Sequence, residues 1–585
     1  MCIQTTTPLW STPCAQRNDT FGEGVGVPVV ATAGHVDHGK SALVRALTGT
    51  DPDRLAVEQQ RGLTIELGFA HCATPSGRRI GFVDVPGHID FINTMIAGVG
   101  GATAVMLIVD AVEGPRAQTY EHLDIISHLG VRHVLGVVTR ADLVDAARLH
   151  DVCAEVEALV AAATGASRPV IATSAVTEMG LPELAAALDD VVDGLEVPDR
   201  VRPRLFVDRV FTIRGAGTVV TGTLVDGALE VGMRLTTGNA TSRVRALQHH
   251  GEDVHAVRPG ERVAVNLADV GVDTVERGDV LVEVDRWHHT EVIDAEVALS
   301  VSTPASLRGV MVHVGTARRL ASMRPVGAGN ATDDGGSLRQ VRVRFQRPLP
   351  MAPGDRFILR DPGAGRTLGG GVVRDVAPRR RPSQVLLSAD PVAQLSQHGW
   401  IGVELAEQLT GVTVAPVIGG FYADRSVVDA ARSDLDRRLD AGPVDVAPLV
   451  EWERALLAHM PDVRIVAGAA IRGDDPVLSH PVVDAVAHGW VTPPDLVDVD
   501  RAVIARLVRL GVFVEHDGVV FHIDTLTALE PVLDALWASA PNGFTIADLR
   551  TALGITRKHA MPLAACLDAV GLTRRVGDVR LPRQR

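Results

Sequence analysis

A chain of 585 residues is too long for one hydrophobic core, and a typical domain size of about 100–200 residues predicts roughly three to five domains. The net charge of −14 argues against a surface coated with nucleic-acid contacts, although it allows local basic patches. Five scattered cysteines without a CxxC pair, and no apolar run near the ~18–20 residues of a membrane span, predict a cytoplasmic protein without membrane attachment, disulfide framework or zinc cluster.

The chain begins with a polar extension, residues 1–26, which lacks the basic start and the apolar stretch of a signal peptide and which we expect to be disordered. From about 27 to 198, short apolar runs that predict buried strands, RIGFVDVPG, AVMLIVDA, HVLGVVT and RPVIATSA, alternate with helical segments. This alternation predicts an α/β domain with a parallel sheet and crossover helices. Ligands of such sheets bind at the carboxyl ends of the strands, where the motifs described next are located.

The stretch GHVDHGKS follows the first predicted strand and opens a helix, and it matches the phosphate-loop pattern G-x-x-x-x-G-K-[ST]. Its glycines let backbone N–H groups close around phosphate oxygens, the lysine reaches the β- and γ-phosphates, and the serine ligates Mg²⁺. The alternative is a simple glycine-rich turn, which the flanking strand and helix disfavour. The predicted phosphate-binding residues are Gly34, His35, Val36, Asp37, His38, Gly39, Lys40 and Ser41.

Two further motifs predict the rest of a phosphate and cation site. In DVPGH, Asp84 can hold Mg²⁺ through water, the Gly87 amide can bond a γ-phosphate, and His88 can orient the attacking water. A lone histidine would more often be an ordinary surface or core residue, but the D-x-x-G before it favours function. In RGLTIELGF, Thr64 is predicted to be a second Mg²⁺ ligand beside Ser41, on a loop that releases after hydrolysis.

The base is predicted to be guanine. VVTRAD ends a strand with Thr139, Arg140 and Asp142, and the last can accept hydrogen bonds from guanine N1–H and N2–H₂, donors that adenine lacks. TSA adds contacts from Ser174 and Ala175 near the guanine oxygen. Four ordered motifs therefore predict a GTPase that binds GTP or GDP with Mg²⁺.

The remaining chain divides into two kinds of pattern. Alternating Val/Thr/Arg segments broken by glycine turns predict two β-barrels, 203–290 and 291–380, with an exposed loop at 326–338. From 383 the chain becomes helical, and 504–522 reads as helix, strand, turn, strand, a plan repeated near the end after a helix-turn-helix. This pattern predicts tandem winged helices over 383–585, for which the recurring HGW at 398–400 and 488–490 is weak support.

The carboxyl-terminal tip is basic, although the protein is acidic. Residues 544–585 carry eight basic and three acidic side chains, which gives this segment a net charge of +5. A basic tip on an acidic protein is typical of a directed phosphate-binding site, and the alternative is a solvated basic tail.

These motifs resemble the translational GTPases of the elongation factor Tu group. AGHVDHGK, RGLTIELGF, DVPGH, the barrel stretch LFVDRVFTIRGAGTVVTGTL and the final ITRKHAMPLAACLDAVGLTRRVGDVRL are most similar to its selenocysteine-specific elongation factors. The resemblance is specific over about 30–375 and 540–582 and vague over 385–540. It implies that His88 is the water-positioning catalytic residue, with Val36 and Leu63 as an apolar gate. Thr139 is usual in this subgroup, whereas Arg140 replaces the common lysine and is expected to alter GTP affinity.

The resemblance also implies the partners. The barrels and the GTPase domain would hold selenocysteinyl-tRNA, with a pocket for the anionic selenocysteine formed by Phe69, Asp208, Arg209 and Arg262. The alternative is that these arginines form ordinary surface ion pairs. The terminal module would grip an mRNA hairpin, and the predicted contacts are Arg557, Lys558, Arg574, Arg575 and Arg580.

The sequence therefore predicts a monomeric GTPase that delivers selenocysteinyl-tRNA to ribosomes at a recoded UGA codon while its terminal arm binds the message. Two alternatives stay open. One is another translational GTPase that carries a different aminoacyl- or initiator tRNA, and the other is a non-hydrolysing RNA-binding regulator.

Overall fold

The computed structural model describes residues 28–582 apart from 53–63, 65, 89–90, 194, 196–199, 216, 250, 301–302, 328–337, 467 and 473–475. The predicted amino-terminal extension, Leu63 and most of the predicted loop at 326–338 lie outside the described residues. The chain divides into two compact units, one formed by Met1–His398 with Val403–Val414 and the other by Gly399–Gly402 with Ala415–Arg585. Within the described part of the chain, no helix combines the length and the apolar character needed to cross a membrane.

The first unit opens with a six-stranded sheet in the order β2-β3-β1-β4-β5-β6. Its strands are β1 (Val29–Ala33), β2 (Gly68–Ala73), β3 (Arg79–Asp84), β4 (Ala104–Asp110), β5 (Val134–Thr139) and β6 (Ile171–Ala172). Its helices are α1 (Lys40–Thr48), α2 (Ile92–Val99), α3 (Ala117–Leu129), α4 (Ala146–Thr164) and α5 (Leu181–Asp193). All neighbours pair in parallel except β2 and β3, so the structure confirms the predicted α/β class.

Helices cover both faces of this sheet. One core joins the sheet to α2, α3 and α4, and a second joins its other face to α1 and α5. The central strand β4, AVMLIVD, is buried at all seven positions, because a parallel strand covered on both faces needs a continuous apolar run. Helix α1 begins after Gly39 and ends at Gly49, and both glycines adopt the left-handed conformation.

Two barrels follow. The first contains β7 (Arg204–Ile213), β8 (Gly217–Val225), β10 (Arg234–Thr236), β11 (Thr241–His249), β12 (Glu252–Val254), β14 (Arg262–Leu267) and β15 (Val280–Glu283), with β9 (Leu229–Glu230) and β13 (Ala256–Val257) paired separately. It closes because β10 pairs with both β15 and β11. The second is the closed barrel β16-β19-β18-β17-β20-β21. Its strands are β16 (His289–Leu299), β17 (Leu307–Val314), β18 (Ala317–Pro325), β19 (Arg339–Pro350), β20 (Arg356–Arg360) and β21 (Thr367–Asp375).

A buried ion network joins the two barrels. Arg204 donates to Asp226 on one side and makes two bonds to Asp355, at 2.6 and 3.0 Å, on the other. Arg200 donates to the same Asp355 at 2.8 Å. Beside the network, Arg202 stacks on Trp287 at 3.9 Å from the ring centre and donates to the Gln408 carbonyl. The three arginines thus fix the start of the first barrel to later parts of the same unit.

Short helices and β-hairpins occupy the chain after the second barrel. The helices are α6 (Pro391–Gln394), α7 (Val403–Thr410), α8 (Arg425–Ala441), α9 (Glu451–Ala458), α10 (Pro481–His488), α11 (Arg501–Arg509), α12 (Ile523–Thr527), α13 (Glu530–Ser539), α14 (Ile546–Leu553) and α15 (Arg557–Ala569). The strands are β22 (Ile401–Gly402), β23 (Phe421–Tyr422), β24 (Val444–Asp445), β25 (Val463–Val466), β26 (Ala469–Arg472), β27 (Phe513–His516), β28 (Val519–His522), β29 (Phe544–Thr545), β30 (Thr573–Val576) and β31 (Val579–Pro582).

The second unit repeats one sheet plan. In sheets β24-β26-β25 and β29-β31-β30, a short strand pairs with the second strand of a hairpin, which lies in the middle of the sheet, as in winged helices. The predicted turn at Asp517–Gly518 joins β27 to β28, and the predicted helix-turn-helix is α14 and α15. Trp400 stacks on Trp452 in this unit, with ring centres 4.7 Å apart. The two HGW copies differ in structure, because Trp400 stacks on Trp452 whereas its counterpart Trp490 is exposed with a φ of 51°.

Candidate functional site

The turn between β1 and α1 forms a tight loop whose backbone other elements hold in place. Gly34 has a φ of 133°, and a Cβ there would lie 2.1 Å from the Ile108 carbonyl oxygen, so a larger residue does not fit. Two side chains from α3 accept bonds from the loop, His122 Nδ1 from the Gly34 amide at 3.0 Å and Gln118 Oε1 from the Val36 amide at 3.1 Å. The buried Lys40 donates to the His35 carbonyl at 2.7 Å.

The second phosphate motif packs directly against this loop. A Cβ on Gly87 would lie 2.4 Å from Lys40 Nζ and 2.7 Å from the Val36 amide nitrogen, so glycine permits this close approach. His88 follows, half-buried, with its ring centre 6.0 Å from that of Phe91. Gly87, the lysine and the loop amides therefore meet at one point, where a γ-phosphate can be bound from several sides.

Three oxygen-bearing side chains converge beside the loop. Ser41 Oγ donates to Asp84 Oδ2 at 2.6 Å and lies 3.0 Å from Thr64 Oγ1. Asp84 is fully buried, and Thr32 donates to its other oxygen at 2.7 Å. Two hydroxyls and a carboxylate are hard oxygen ligands. Mg²⁺ keeps several water and phosphate ligands and takes only a few from the protein, so this set of three side chains fits Mg²⁺.

Three histidines in and around the loop are uncharged near neutral pH, each with one N–H and one acceptor nitrogen. Burial lowers the pKa of His122 to about 3, with Lys40 adding to the effect. Burial and the neighbouring His35 lower the pKa of His38 to about 4, and burial also lowers the pKa of His35. Because His122 stays neutral, its Nδ1 can accept the Gly34 amide proton.

The predicted base contacts gather at the ends of β5 and β6. Thr139 is buried and donates to the His38 carbonyl at 2.8 Å, which ties the base motif to the phosphate loop. Arg140, with a φ of 54°, donates to the buried Asp110 at 2.6 Å. Asp142 is exposed in a turn whose Ala141 amide bonds the Thr173 carbonyl. The adjoining Ser174 is buried and accepts the Val176 and Thr177 amides, while Ala175 is exposed.

Three of the four predicted pocket residues, Phe69, Asp208 and Arg262, form one cluster between the α/β domain and the first barrel, and Arg209 pairs separately with Glu66. Arg262 makes two 2.9 Å bonds to the carboxylate of Asp208 and lies 4.0 Å from the ring centre of Phe69 in β2. Thr221 donates to Asp208 at 2.6 Å and accepts from Arg262 at 2.9 Å. Arg209 donates to Glu66 of the GTPase domain at 2.6 Å. Strands β7, β8 and β14 are neighbours in one sheet, which explains how positions 208, 221 and 262 come together.

The predicted mRNA contacts separate into two groups. Arg557 opens α15, Lys558 reaches Asp495 at 3.2 Å, and Arg574 and Arg575 are exposed on β30. Arg580 differs, because it is 3% exposed and its guanidinium bonds Asp568 and the Ala564 carbonyl inside the module. The prediction that Arg580 contacts RNA is therefore corrected, since this side chain is occupied within the fold.

Sequence reasoning missed five residues that shape these sites: Glu66, Asp110, Gln118, His122 and Thr221. Glu66 stands inside the RGLTIELGF motif, and the next three stand in or directly after AVMLIVDAVEG, but their partners are 30 to 143 positions away. Polar residues at buried or helix-facing positions were the available signal. The spacing of residues along the sequence does not predict which partner each of them binds.

Family models match four consecutive parts of the chain. The elongation factor Tu GTP binding domain matches residues 26–193, and elongation factor Tu domain 2 matches 217–282. The beta-barrel domain of the selenocysteine-specific elongation factor matches 293–380, and the winged helix of elongation factor SelB matches 536–581. These matches confirm the predicted succession of GTPase domain, two barrels and winged helix.

Relatives and solved structures agree with the family models. A "Selenocysteine-specific elongation factor" of Desulfomicrobium baculatum is 41% identical over 350 residues, 59% of this chain and 55% of that protein. "Elongation factor Tu 2" of Streptomyces avermitilis is 31% identical over 379 residues, 59% of this chain and 96% of that protein. The structure titled "Crystal structure of bacterial selenocysteine-specific elongation factor EF-Sec" aligns with a TM-score of 0.68 and 25% identity, covering 96% of this chain and 100% of that one.

These relatives confirm the resemblance seen in the sequence motifs. The matches to three relatives that carry the selenocysteine-specific name span 55%, 56% and 58% of their lengths, little more than half of each.

Proposed function

Because the chain belongs to the elongation factor Tu family, we propose that it is a GTPase that delivers selenocysteinyl-tRNA to the ribosome at a recoded UGA codon. Its winged-helix region binds an mRNA hairpin near that codon. The observation that supports the proposal is a set of contacts between the GTPase domain and the first barrel, in which Arg262, held by Asp208, stacks on Phe69 and Arg209 pairs with Glu66. The protein acts as a cytoplasmic monomer.

The nucleotide chemistry follows from the loop. Backbone amides of Gly34–Ser41, the Lys40 ammonium and the Gly87 amide surround the phosphates, while Asp142 accepts the guanine donors. Ser41 and Thr64, with Asp84 behind them, would hold Mg²⁺, which offsets the negative charge of the phosphates. Arg140 keeps its guanidinium on Asp110. A purine with an exocyclic amine beside N1–H satisfies this carboxylate.

Hydrolysis depends on positioning the water. Gly87 approaches Lys40 Nζ and the Val36 amide closely, and His88 is the next residue, so its imidazole would orient the water that attacks the γ-phosphate. An imidazole in that position orients the nucleophile and needs no covalent step. Val36 borders the same point, whereas the other predicted gate residue, Leu63, lies outside the described residues.

The selenocysteine side chain is the reason for arginines in the pocket. A selenol is far more acidic than a thiol or a hydroxyl, so selenocysteine arrives as an anion, whereas serine arrives neutral. Charge-assisted hydrogen bonds from guanidinium groups favour the selenolate anion over the neutral serine hydroxyl. The stacking of Arg262 on Phe69 keeps one guanidinium oriented toward the domain junction.

Two basic surfaces support RNA partners. On the second barrel, a cavity of about 350 Å³ is lined by Arg308, Arg324, Arg342 and Arg344. Arg342 is bonded twice to Asp294, and within the described residues the other three form no ion pair. The exposed arginines of β30 form the second surface, at the tip of the terminal module. Phosphate contacts of this kind position an RNA without reading its bases.

The decisive experiment compares two aminoacyl-tRNAs. The protein bound to a non-hydrolysable GTP analogue is titrated with the same tRNA charged with selenocysteine or with serine, and complexes are counted by filter binding. We expect a clear preference for the selenocysteinyl form. Equal affinity for the two would remove the selenocysteine assignment and favour a translational GTPase that carries another tRNA.

The non-hydrolysing regulator is tested separately. His88→Ala should slow ribosome-stimulated hydrolysis by about 10²- to 10⁴-fold while GTP binding stays near that of the wild type. His150→Ala, a change at an exposed site on α4, serves as the matched control and should hydrolyse normally. A wild type that shows no ribosome-stimulated hydrolysis would support the regulator.

A further inference from the structure

Each arginine of the pocket already has a carboxylate partner. Arg262 is bonded to Asp208 in the first barrel, and Arg209 is bonded to Glu66 in the GTPase domain. The two positive charges of the predicted pocket are therefore each offset by a negative charge. A selenolate that entered this neutral pocket would gain little, because every guanidinium it could approach is already paired.

The two carboxylates are held very differently. Asp208 has a side chain only 8% exposed, and it accepts two bonds from Arg262 and one from Thr221. Glu66 has a side chain 39% exposed, and its partner Arg209 is 47% exposed. Exposed ion pairs are weak, because water screens them and their side chains lose conformational freedom, whereas breaking a buried pair leaves an uncompensated charge. Glu66 is the carboxylate that can leave.

We propose that Glu66 is an internal competitor for the anionic side chain of the incoming aminoacyl group. It neutralises Arg209 while the pocket is empty, and the selenolate takes its place when the tRNA binds. The Asp208–Thr221–Arg262 cluster stays fixed and supplies the rigid wall of the pocket. This inference rests on the proposed function, since it concerns the same pocket and the same substrate.

The proposed competition depends on the charge of the aminoacyl side chain. A selenolate replaces one anion with another, so Arg209 keeps a partner and Glu66 moves into solvent. A serine hydroxyl carries no charge and has no means of displacing the carboxylate, so its binding does not depend on Glu66. Removing the charge at position 66 should therefore strengthen binding of the selenocysteinyl form alone. A purely structural role for the ion pair would instead alter both tRNAs together.

The test uses the full chain with a non-hydrolysable GTP analogue and tRNA charged with selenocysteine or with serine. Glu66→Gln should bind selenocysteinyl-tRNA about two- to fivefold more tightly than the wild type, the range of an exposed ion pair, with seryl-tRNA unchanged. Glu66→Asp keeps the charge and should bind both tRNAs as the wild type does. Asp193→Asn removes a remote exposed carboxylate paired with Arg78, and it is the control for loss of one surface charge.

The outcomes separate this inference from the function on which it rests. A wild type that does not distinguish the two tRNAs contradicts the selenocysteine assignment itself. A wild type that discriminates, together with a Glu66→Gln protein of unchanged or weaker affinity for selenocysteinyl-tRNA, overturns the competitor role alone. Equal tightening for both tRNAs would mean a general electrostatic effect on RNA and would also overturn it.

Discussion

The Asp142 carboxylate stands exposed in the turn that follows β5, beside the buried Thr139 and the ion-paired Arg140. Asp142→Asn should weaken GTP binding by about 10- to 100-fold, because an amide cannot accept both guanine donors, and it should gain affinity for xanthosine triphosphate, whose extra carbonyl suits an amide donor. Competition titrations measure both effects. Asp151→Asn, an exposed carboxylate on α4, should leave GTP binding unchanged. Unaltered nucleotide preference in the Asp142 variant would refute its role.

His122 links proton uptake to the phosphate loop. The unfolded chain binds a proton on this residue near pH 6.5, whereas the folded protein does so only near pH 3, so its contribution to stability is lost as the pH falls through this range. His122→Asn keeps an acceptor for the Gly34 amide but does not titrate. Its acid-unfolding midpoint should therefore lie at lower pH than that of the wild type, as followed by circular dichroism.

The control for this prediction is His150→Asn, a change at an exposed position that should leave the acid midpoint where it is. An unchanged midpoint in His122→Asn would show that burial of this neutral imidazole does not limit acid stability.

At the scale of single elements, the wing formed by β30 and β31 presents Arg574 and Arg575 to solvent. Replacing both with alanine should weaken binding of the mRNA hairpin and reduce the slope of log affinity against log salt by about 1 to 2, since each phosphate contact releases counterions. Arg550→Ala, on the exposed side of α14, is the matched control. An unaltered slope in the double variant would show that these arginines do not touch phosphates.

Apolar patterning predicted the elements well where they are long and buried, and poorly where they are short. The runs AVMLIVDA and HVLGVVT became β4 and β5, because a strand covered on both faces must be apolar throughout. RPVIATSA became only the two-residue β6, since this edge strand pairs with one neighbour. In the sequence, Arg580 resembles the other arginines of the wing. In the structure it is buried against α15, where it bonds the Ala564 carbonyl 16 positions earlier in the chain.

The sites show the same division. Motifs of fixed local spacing predicted the phosphate loop, because its geometry is made by eight consecutive residues. The ion pairs could not be predicted, since Arg209 and Glu66 are 143 positions apart and Arg204 and Asp355 are 151 apart. Many carboxylates could have served each arginine equally well. Only the folded arrangement of three domains selects the partner.

At the scale of the molecule, the barrels depend on a buried charge network. Arg204 and Arg200 hold the pKa of Asp355 well below its usual range, although burial alone would raise it. Asp355→Ala leaves Arg204 buried with one partner fewer and should lower the free energy of unfolding by about 3–5 kcal/mol, measured by denaturant titration. Asp429→Ala removes an exposed carboxylate 3.9 Å from Arg425 on α8 and should have almost no effect. A loss below about 1 kcal/mol in Asp355→Ala would mean that the network adds little.

The placement of the tryptophans gives the chain two separate optical signals. Among the described residues, Trp287 is the indole of the first unit, with guanidinium groups of Arg202 and Arg204 at 3.9 and 4.7 Å. The second unit instead carries the parallel Trp400–Trp452 stack, whose planes differ by 3°. Stacked indoles couple their electronic transitions and give a paired band in circular dichroism, whereas an indole beside cations changes its emission when they depart. Loss of the paired band therefore reports melting of the second unit without a label, whereas the emission also includes Trp490 and Trp537 of that unit.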